Sequence, residues 1–171
     1  MAVSIDATVG GANANSYCTL AEANTYHDSR PNVATWSAAT DDSKNRALVE
    51  ATRLLDLLVE WDGWVVNSTQ RLLWPRTGMY GLNGYAIDIT VIPQTLKDAV
   101  AEYARQLLDA DRTADSDVET QKITHLKAGS VELSFGSGVA AKAVPDAVFY
   151  KVQHWGSLRS RSNPVVPLMR G

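Results

Sequence analysis

The residues that could do chemistry in this chain are few and widely spaced. His27, His125 and His154 have no Ser or Cys motif beside them of the kind that builds a nucleophile–base pair, so each reads as a satisfied or exposed histidine. Asp41 and Asp42 form an adjacent carboxylate pair, but they stand at the start of a helical stretch, where negative charge suits the positive end of the helix dipole. Cys18 is the single cysteine, so no internal disulfide can form, and no Cys/His cluster has zinc spacing. The glycine-rich run Gly78-Met79-Tyr80-Gly81-Leu82-Asn83-Gly84 lacks the Lys-Ser/Thr ending of a phosphate-binding P-loop. It also lacks the strand-to-helix setting of a dinucleotide fingerprint, and reads as a mobile loop. The chain is therefore expected to be no enzyme, with no catalytic residue, cofactor or metal.

Five tryptophans, Trp36, Trp61, Trp64, Trp74 and Trp155, raise a second chemistry, the stacking of unpaired bases on aromatic faces. Stacking sites interleave aromatics with cations, and only Arg71 and Arg76 flank Trp74 here. Four of the five fall within or beside predicted helices or an ordered loop, where burial is the default for so large a side chain. Trp61, Trp64, Trp74, Pro75 and Arg76 read instead as a structural lock. In it Trp74 is expected to be buried, Pro75 to hold the backbone extended, and Arg76 to bond carbonyls or an acid on the main helix.

The elements that must position this lock follow from periodicity. Ala47, Leu48, Ala51, Leu54, Leu55, Leu58 and Trp61 recur at helical spacing and predict a long amphipathic helix from Ser43, with Thr40 as N-cap and Gly63 as its stop. The other helices are expected to pack on it. An earlier helix starts at Thr19-Leu20-Ala21-Glu22, a capping box, and runs to about Ser29 before Pro31, with Trp36 in the connection. Ile87, Ile89 and Val91 alternate with Asp88 and Thr90 and predict a short strand or extended arm. Pro93 opens a third helix with Leu96, Val100, Tyr103 and Leu107 as its stripe, and Pro145 opens a last one with Val148, Val152 and Trp155 on one side. Ile123, Leu126, Val131, Leu133 and Phe135 belong to a β-hairpin at about 120–136, closed by Gly136-Ser137-Gly138.

A length of 171 residues suits one domain with a single core, here 1–156, followed by an aperiodic basic tail, 157–171. The fold class is mainly α: a small bundle of about four helices with an inserted hairpin and extended N- and C-terminal arms. Net charge is −3, so there is no global basic field to hold nucleic acid. Charge is nonetheless segregated. Asp109, Asp111, Asp115, Asp117 and Glu119 crowd one stretch, and Arg159, Arg161 and Arg170 punctuate a tail whose apolar anchors are Val165, Val166, Leu168 and Met169. The N-terminus has neither a charged n-region nor an apolar core, and no run approaches the ~18 apolar residues of a membrane span. No membrane partner is expected. Long arms add little to a compact monomer but can serve subunits that reach one another.

The order of several motifs resembles tailed-phage head–tail connector proteins, also called adaptor or head-completion proteins. Asn13-Ala14-Asn15-Ser16-Tyr17 with Glu22-Ala23 and Tyr26 is similar to their start. Lys44, Ala47-Leu48, Ala51-Thr52 and Leu55-Asp56 before Trp61-Asp62-Gly63 are similar to their second helix. Leu73-Trp74-Pro75-Arg76 with Gly78, Ile92-Pro93 before a helix, and Leu126-Lys127-Ala128-Gly129-Ser130-Val131-Glu132-Leu133 complete the order, which covers the chain to about Trp155. The resemblance implies a virion protein, assembled in the host cytoplasm, that forms a homo-oligomeric, dodecameric ring beneath the portal protein. Such a ring docks the next neck or tail-completion protein and lets packaged double-stranded DNA pass without sequence-specific binding. On this reading the tail is a candidate contact for the portal or another partner, the hairpin a candidate inter-subunit element, and the acids from Asp109 to Glu119 candidates to face the channel. A solvated loop is the simpler reading of that acidic stretch. Some members carry the label DnaT-like single-strand DNA-binding protein, so single-strand DNA binding in replication is the alternative function.

Overall fold

The structure, a computed structural model, describes residues 2–112, 125–128, 131–134 and 142–159. Among these lie five helices: α1 (Leu20–Asp28), α2 (Ala34–Ala38), α3 (Asp41–Leu58), α4 (Gln94–Asp109) and α5 (Asp146–Val152). Three antiparallel strand pairs accompany them. β1 (Val59–Trp61) pairs with β6 (Gly156–Leu158), β2 (Trp64–Val65) with β3 (Arg76–Thr77), and β4 (His125–Ala128) with β5 (Val131–Ser134). The class is the expected one, mainly α with a small hairpin. The helix beyond the expected four is α2, a short helix that carries Trp36 out of what the sequence suggested was a connection.

The helix starts follow local chemistry. Thr19 accepts from the Glu22 amide at 3.2 Å while the Glu22 carboxylate accepts from the Thr19 amide at 2.7 Å, a complete capping box. Thr40 caps α3 by accepting from the Ser43 amide. Pro93 and Pro145 sit at the N-cap positions of α4 and α5, where their missing N–H costs no helical bond. The N-terminal stretch is tied to its own α3: Asp42 accepts from the Val3 amide at 2.8 Å, and Asn45 donates to the Val3 carbonyl at 3.0 Å.

Four expectations about elements are corrected. The main helix ends at Leu58, and Trp61 belongs to β1, because β-branched Val59 turns extended and finds a partner strand in β6. Ser157 and Leu158, read as the start of an aperiodic tail, are that partner. Ile87 to Val91 forms no strand: Asp88 accepts from both the amide and the hydroxyl of Thr90, and this local turn competes with pairing. The hub of the bundle is α4. It packs on α1, α2, α3 and α5, since Ala99, Val100, Ala101 and Ala104 are buried around its girth and their small side chains admit neighbours.

Two polar residues are sealed into this hub. Burial pushes the Glu102 carboxyl up, but Arg105 at 2.7 Å, Gln106 at 3.2 Å and Arg30 at 3.6 Å outweigh it and hold the group below its usual range. His27 is 1% exposed, stacked 4.4 Å from Trp36, with Nε2 positioned 3.1 Å from the Ala101 carbonyl and Nδ1 without a partner. Burial lowers its pKa below 6.5. A depressed histidine contributes stability that is complete above the unfolded value and lost as pH falls through the folded one. Urea unfolding should therefore show the protein less stable at pH 5 than at pH 7. This histidine accounts for a slope of at most about 1.4 kcal/mol per pH unit, which His27→Gln removes; an unchanged slope in that variant would contradict the assignment.

Candidate functional site

Around Trp74 the structure places a buried polar network, here termed the lock, whose centre is Asp56. This carboxylate sits on the last turn of α3, on the buried face, one helical turn after Thr52. Its Oδ1 accepts from the Tyr17 hydroxyl at 2.5 Å and from Trp61 Nε1 at 3.2 Å, and its Oδ2 accepts from the Leu73 amide at 3.0 Å. Tyr17 continues the chain of bonds: its hydroxyl accepts from the Trp74 amide at 3.1 Å, and its own amide donates to Thr52 Oγ1. Burial raises the Asp56 pKa against the three donors that oppose the rise, and burial together with the Asp56 charge pushes the Tyr17 phenol well above its usual range. One carboxylate thus ties the N-terminal stretch, α3, β1 and the loop before β3.

Arg76 closes the other side. Its guanidinium donates to the carbonyls of Trp61, Asp62, Gly63 and Leu73, at 3.3, 2.6, 2.7 and 3.1 Å. Of the two options in the sequence reading, carbonyls or an acid on the main helix, the carbonyls hold. Burial disfavours its charge, while Tyr17, Asp56 and Asp62 favour it. Trp74 is 1% exposed, edge-on to Trp61 at 5.7 Å and tilted against Trp155 at 5.4 Å. The Trp74–Pro75 peptide is cis. Gly63 turns the chain with φ +66°; a Cβ there would lie 2.4 Å from the Thr77 carbonyl oxygen, so the backbones meet closely at this point.

Trp64 departs from the lock. It is 73% exposed, on β2 opposite Thr77, and it contributes to a second feature. Of twelve exposed large apolar residues among those described, eight fall between Trp64 and Val91: Trp64, Val65, Val66, Tyr80, Leu82, Tyr85, Ile89 and Val91. The buried lock therefore holds a segment whose outer side is an apolar, aromatic rim. Cations are few along this segment of the chain. Between Trp61 and Leu96 the basic residues are Arg71, exposed, and Arg76, buried and committed to carbonyls, while Asp62 and Asp88 are exposed acids.

The other site residues read from sequence are dispersed. Leu126, Val131 and Leu133 lie on the paired strands β4 and β5, with Leu126 opposite Leu133, whereas Ile123 and Phe135 lie outside the described residues. Asp109 ends α4, accepts from the Thr35 hydroxyl at 2.6 Å and pairs with Arg105 at 3.7 Å; Asp111 follows, exposed. Asp115, Asp117 and Glu119 are outside the described residues, as are Arg161, Val165, Val166, Leu168, Met169 and Arg170. The Arg159 amide donates to the Leu58 carbonyl at 2.8 Å. Tyr17 and Asp56 were missed as functional positions. Their signal was Thr52 and Asp56, a polar i, i+4 pair set into an otherwise apolar helix face. Among the described residues no group of three or more His, Cys, Asp or Glu could hold a metal ion, and no helix is long and apolar enough to cross a membrane.

Fold and site together define a small, mainly α protein built around a buried polar lock beneath an exposed aromatic segment. A family model matches residues 1–169, and the chain belongs to that family, described as "Putative DnaT-like ssDNA binding protein". Neither the search of curated proteins nor that of solved structures found a match.

The lock predicts specific losses. Tyr17→Phe leaves the buried Trp74 amide without an acceptor and should cost about 1–3 kcal/mol in urea unfolding. Arg76→Lys replaces a planar fork serving four carbonyls with a point charge and should cost at least about 2 kcal/mol. Losses below about 0.5 kcal/mol, the range of ordinary surface changes, would show that the lock is not structural.

Proposed function

We propose that the chain is a structural assembly subunit, the head–tail connector its motif order resembles, rather than an enzyme. In this reading, copies form a ring beneath the portal of a tailed phage, extend the DNA channel and present a docking face to the next neck or tail protein. Its place is the virion, after assembly in the host cytoplasm. The observation that carries it is the rim. An apolar, aromatic exposed segment whose one exposed cation between Trp61 and Leu96 is Arg71 suits protein partners, whose interface cores are aromatic and depleted of charge. Phosphate backbones ask for the opposite, a groove lined with Lys and Arg.

Single-strand DNA binding is the second reading, and the family's own description favours it. That description names neither a portal nor a ring. Trp64 and Tyr85 are exposed enough to stack on bases, and Arg71 could meet a phosphate.

The two readings separate in a pair of measurements. Purified protein is mixed with portal rings and imaged by electron microscopy, and separately titrated into a labelled single-stranded oligonucleotide at several salt concentrations. Added ring density on the portal is expected, with no steep salt-dependent binding to the oligonucleotide. Trp64→Ser should abolish the added density while leaving stability within about 0.5 kcal/mol, as for other surface changes. Tight oligonucleotide binding that weakens steeply with salt and is lost in Trp64→Ser, together with bare portals, would overturn the connector reading in favour of DNA.

A further inference from the structure

Two dipeptides in the chain set an Asn or Asp directly before glycine: Asn83-Gly84 and Asp62-Gly63. In such a pair the glycine's backbone nitrogen can attack the side-chain carbonyl carbon of the residue before it, since no Cβ stands beside that nitrogen. Closing the five-membered ring requires the peptide between the two residues to swing round. The fold decides whether it can, and it treats the two pairs differently.

At Asp62-Gly63 the peptide is clamped. Arg76 donates to the carbonyls of Asp62 and Gly63 at 2.6 and 2.7 Å, and a Cβ on Gly63 would lie 2.4 Å from the Thr77 carbonyl oxygen. Asn83-Gly84 stands instead at the tip of a hairpin-like loop. Tyr80 bridges Ala86, the Gly81 amide donates to the Tyr85 carbonyl at 2.8 Å, and the Gly84 amide donates to the Gly81 carbonyl at 2.9 Å. Both residues are exposed, Gly84 has φ +80°, and a Cβ built on it would meet nothing within 4 Å. Asn83 Oδ1 accepts from the Tyr85 amide at 3.1 Å, which holds the carboxamide against its own backbone and stabilises the negative charge that develops on that oxygen under attack. Of the described bonds, the one that the swing must release is that from Gly84 to Gly81. Losing an exposed backbone hydrogen bond slows such a step by about tenfold at most.

We propose that Asn83 is a self-modification site, converting with age to aspartate and isoaspartate. Hydroxide or a buffer base takes the Gly84 amide proton, the nitrogen bonds to Asn83 Cγ, and the side-chain nitrogen leaves as ammonia, giving a succinimide. Water then opens the ring on either side. Breaking the new bond from Cγ to the Gly84 nitrogen restores the main chain with an aspartate. Breaking the bond from the backbone carbonyl carbon to that nitrogen leaves the main chain running through Cγ, a methylene longer. Either product replaces a neutral amide with a carboxylate. Asn83 lines a cleft of about 340 Å³ together with Leu82, Tyr85 and Trp155. No Lys or Arg occurs from Thr77 to Leu96, so the new charge joins Asp88 in a stretch without a cation. The conversion needs water alone and does not rest on the assembly reading.

Peptide mapping of the aged protein tests this. The folded full-length chain is held at mildly alkaline pH, digested at acid pH, and read by mass spectrometry with fragmentation that tells aspartate from isoaspartate. Asn67-Ser68 is the internal reference: Asn67 is exposed and its Oδ1 accepts from the amide and hydroxyl of Thr69, but the next residue carries a Cβ. Asn83 should convert about tenfold faster than Asn67, with isoaspartate among its products and a rate that rises with pH. Asp62 should form far less isoaspartate than Asn83. Equal rates at Asn83 and Asn67 would overturn the proposal, as would an Asn83 that stays intact in the folded chain and converts only in urea. Isoaspartate accumulating at Asp62 as fast as at Asn83 would show that the fold does not discriminate, and would overturn it too. The Asn83→Gln chain needs a less favoured six-membered ring, so its acidic form on anion exchange should grow in far more slowly; an unchanged rate would place the conversion elsewhere.

Discussion

A carboxylate taken out of water must be met by donors, and Asp56 is met by three drawn from separate parts of the chain. Tyr17 brings the N-terminal stretch, Trp61 brings β1, and the Leu73 amide brings the loop that leads into β3. Arg76 answers from the opposite side by gathering the carbonyls of Trp61, Asp62, Gly63 and Leu73. Neither charge bonds the other directly, yet each lowers the cost of burying its neighbour. Trp61, Trp74 and Trp155 pack against one another beside this node. Loops without regular structure ordinarily move. Here the backbone from Trp61 to Thr77 is pinned at both ends of two short strands and through its middle.

Much of the framework was legible because it is written locally. Thr19 with Glu22, Thr40 with Ser43, and the prolines at 93 and 145 announce helix starts through bonds made within a few residues. Helical spacing of leucines and alanines reports which face turns inward. What was hidden depends on partners distant in sequence. Trp61 continues the helical period of α3, yet β6, almost a hundred residues later, draws it into a strand. Period alone cannot anticipate that pairing. The alternation from Ile87 to Val91 reads as a strand until the Asp88 side chain turns on Thr90. Trp64 was expected to be buried, as large aromatics usually are, and its exposure shows only once the fold is assembled. Within the candidate site, Arg76 could be read as a backbone clamp from sequence, whereas Asp56 and Tyr17 could not, since a single acid in an apolar stripe does not name its donors.

The consequence for function is a division of labour within one short stretch. The polar atoms of the lock face inward and are spent on stability, and the aromatic and aliphatic side chains of the rim face outward with little charge among them. The family description points toward single-stranded DNA, and the aromatic content of the rim is compatible with stacking. The shortage of cations beside it weighs the other way, toward the proposed protein assembly.

Radical footprinting of Trp64 weighs these most directly. The side chain is exposed and lies on β2, within the rim. Oxidation of Trp64 is read for the protein alone, with a single-stranded oligonucleotide, and bound to portal rings. The account predicts strong protection on the portal and none from the oligonucleotide. Protection by the oligonucleotide, with Trp64 as reactive on the portal as in the free protein, would contradict it.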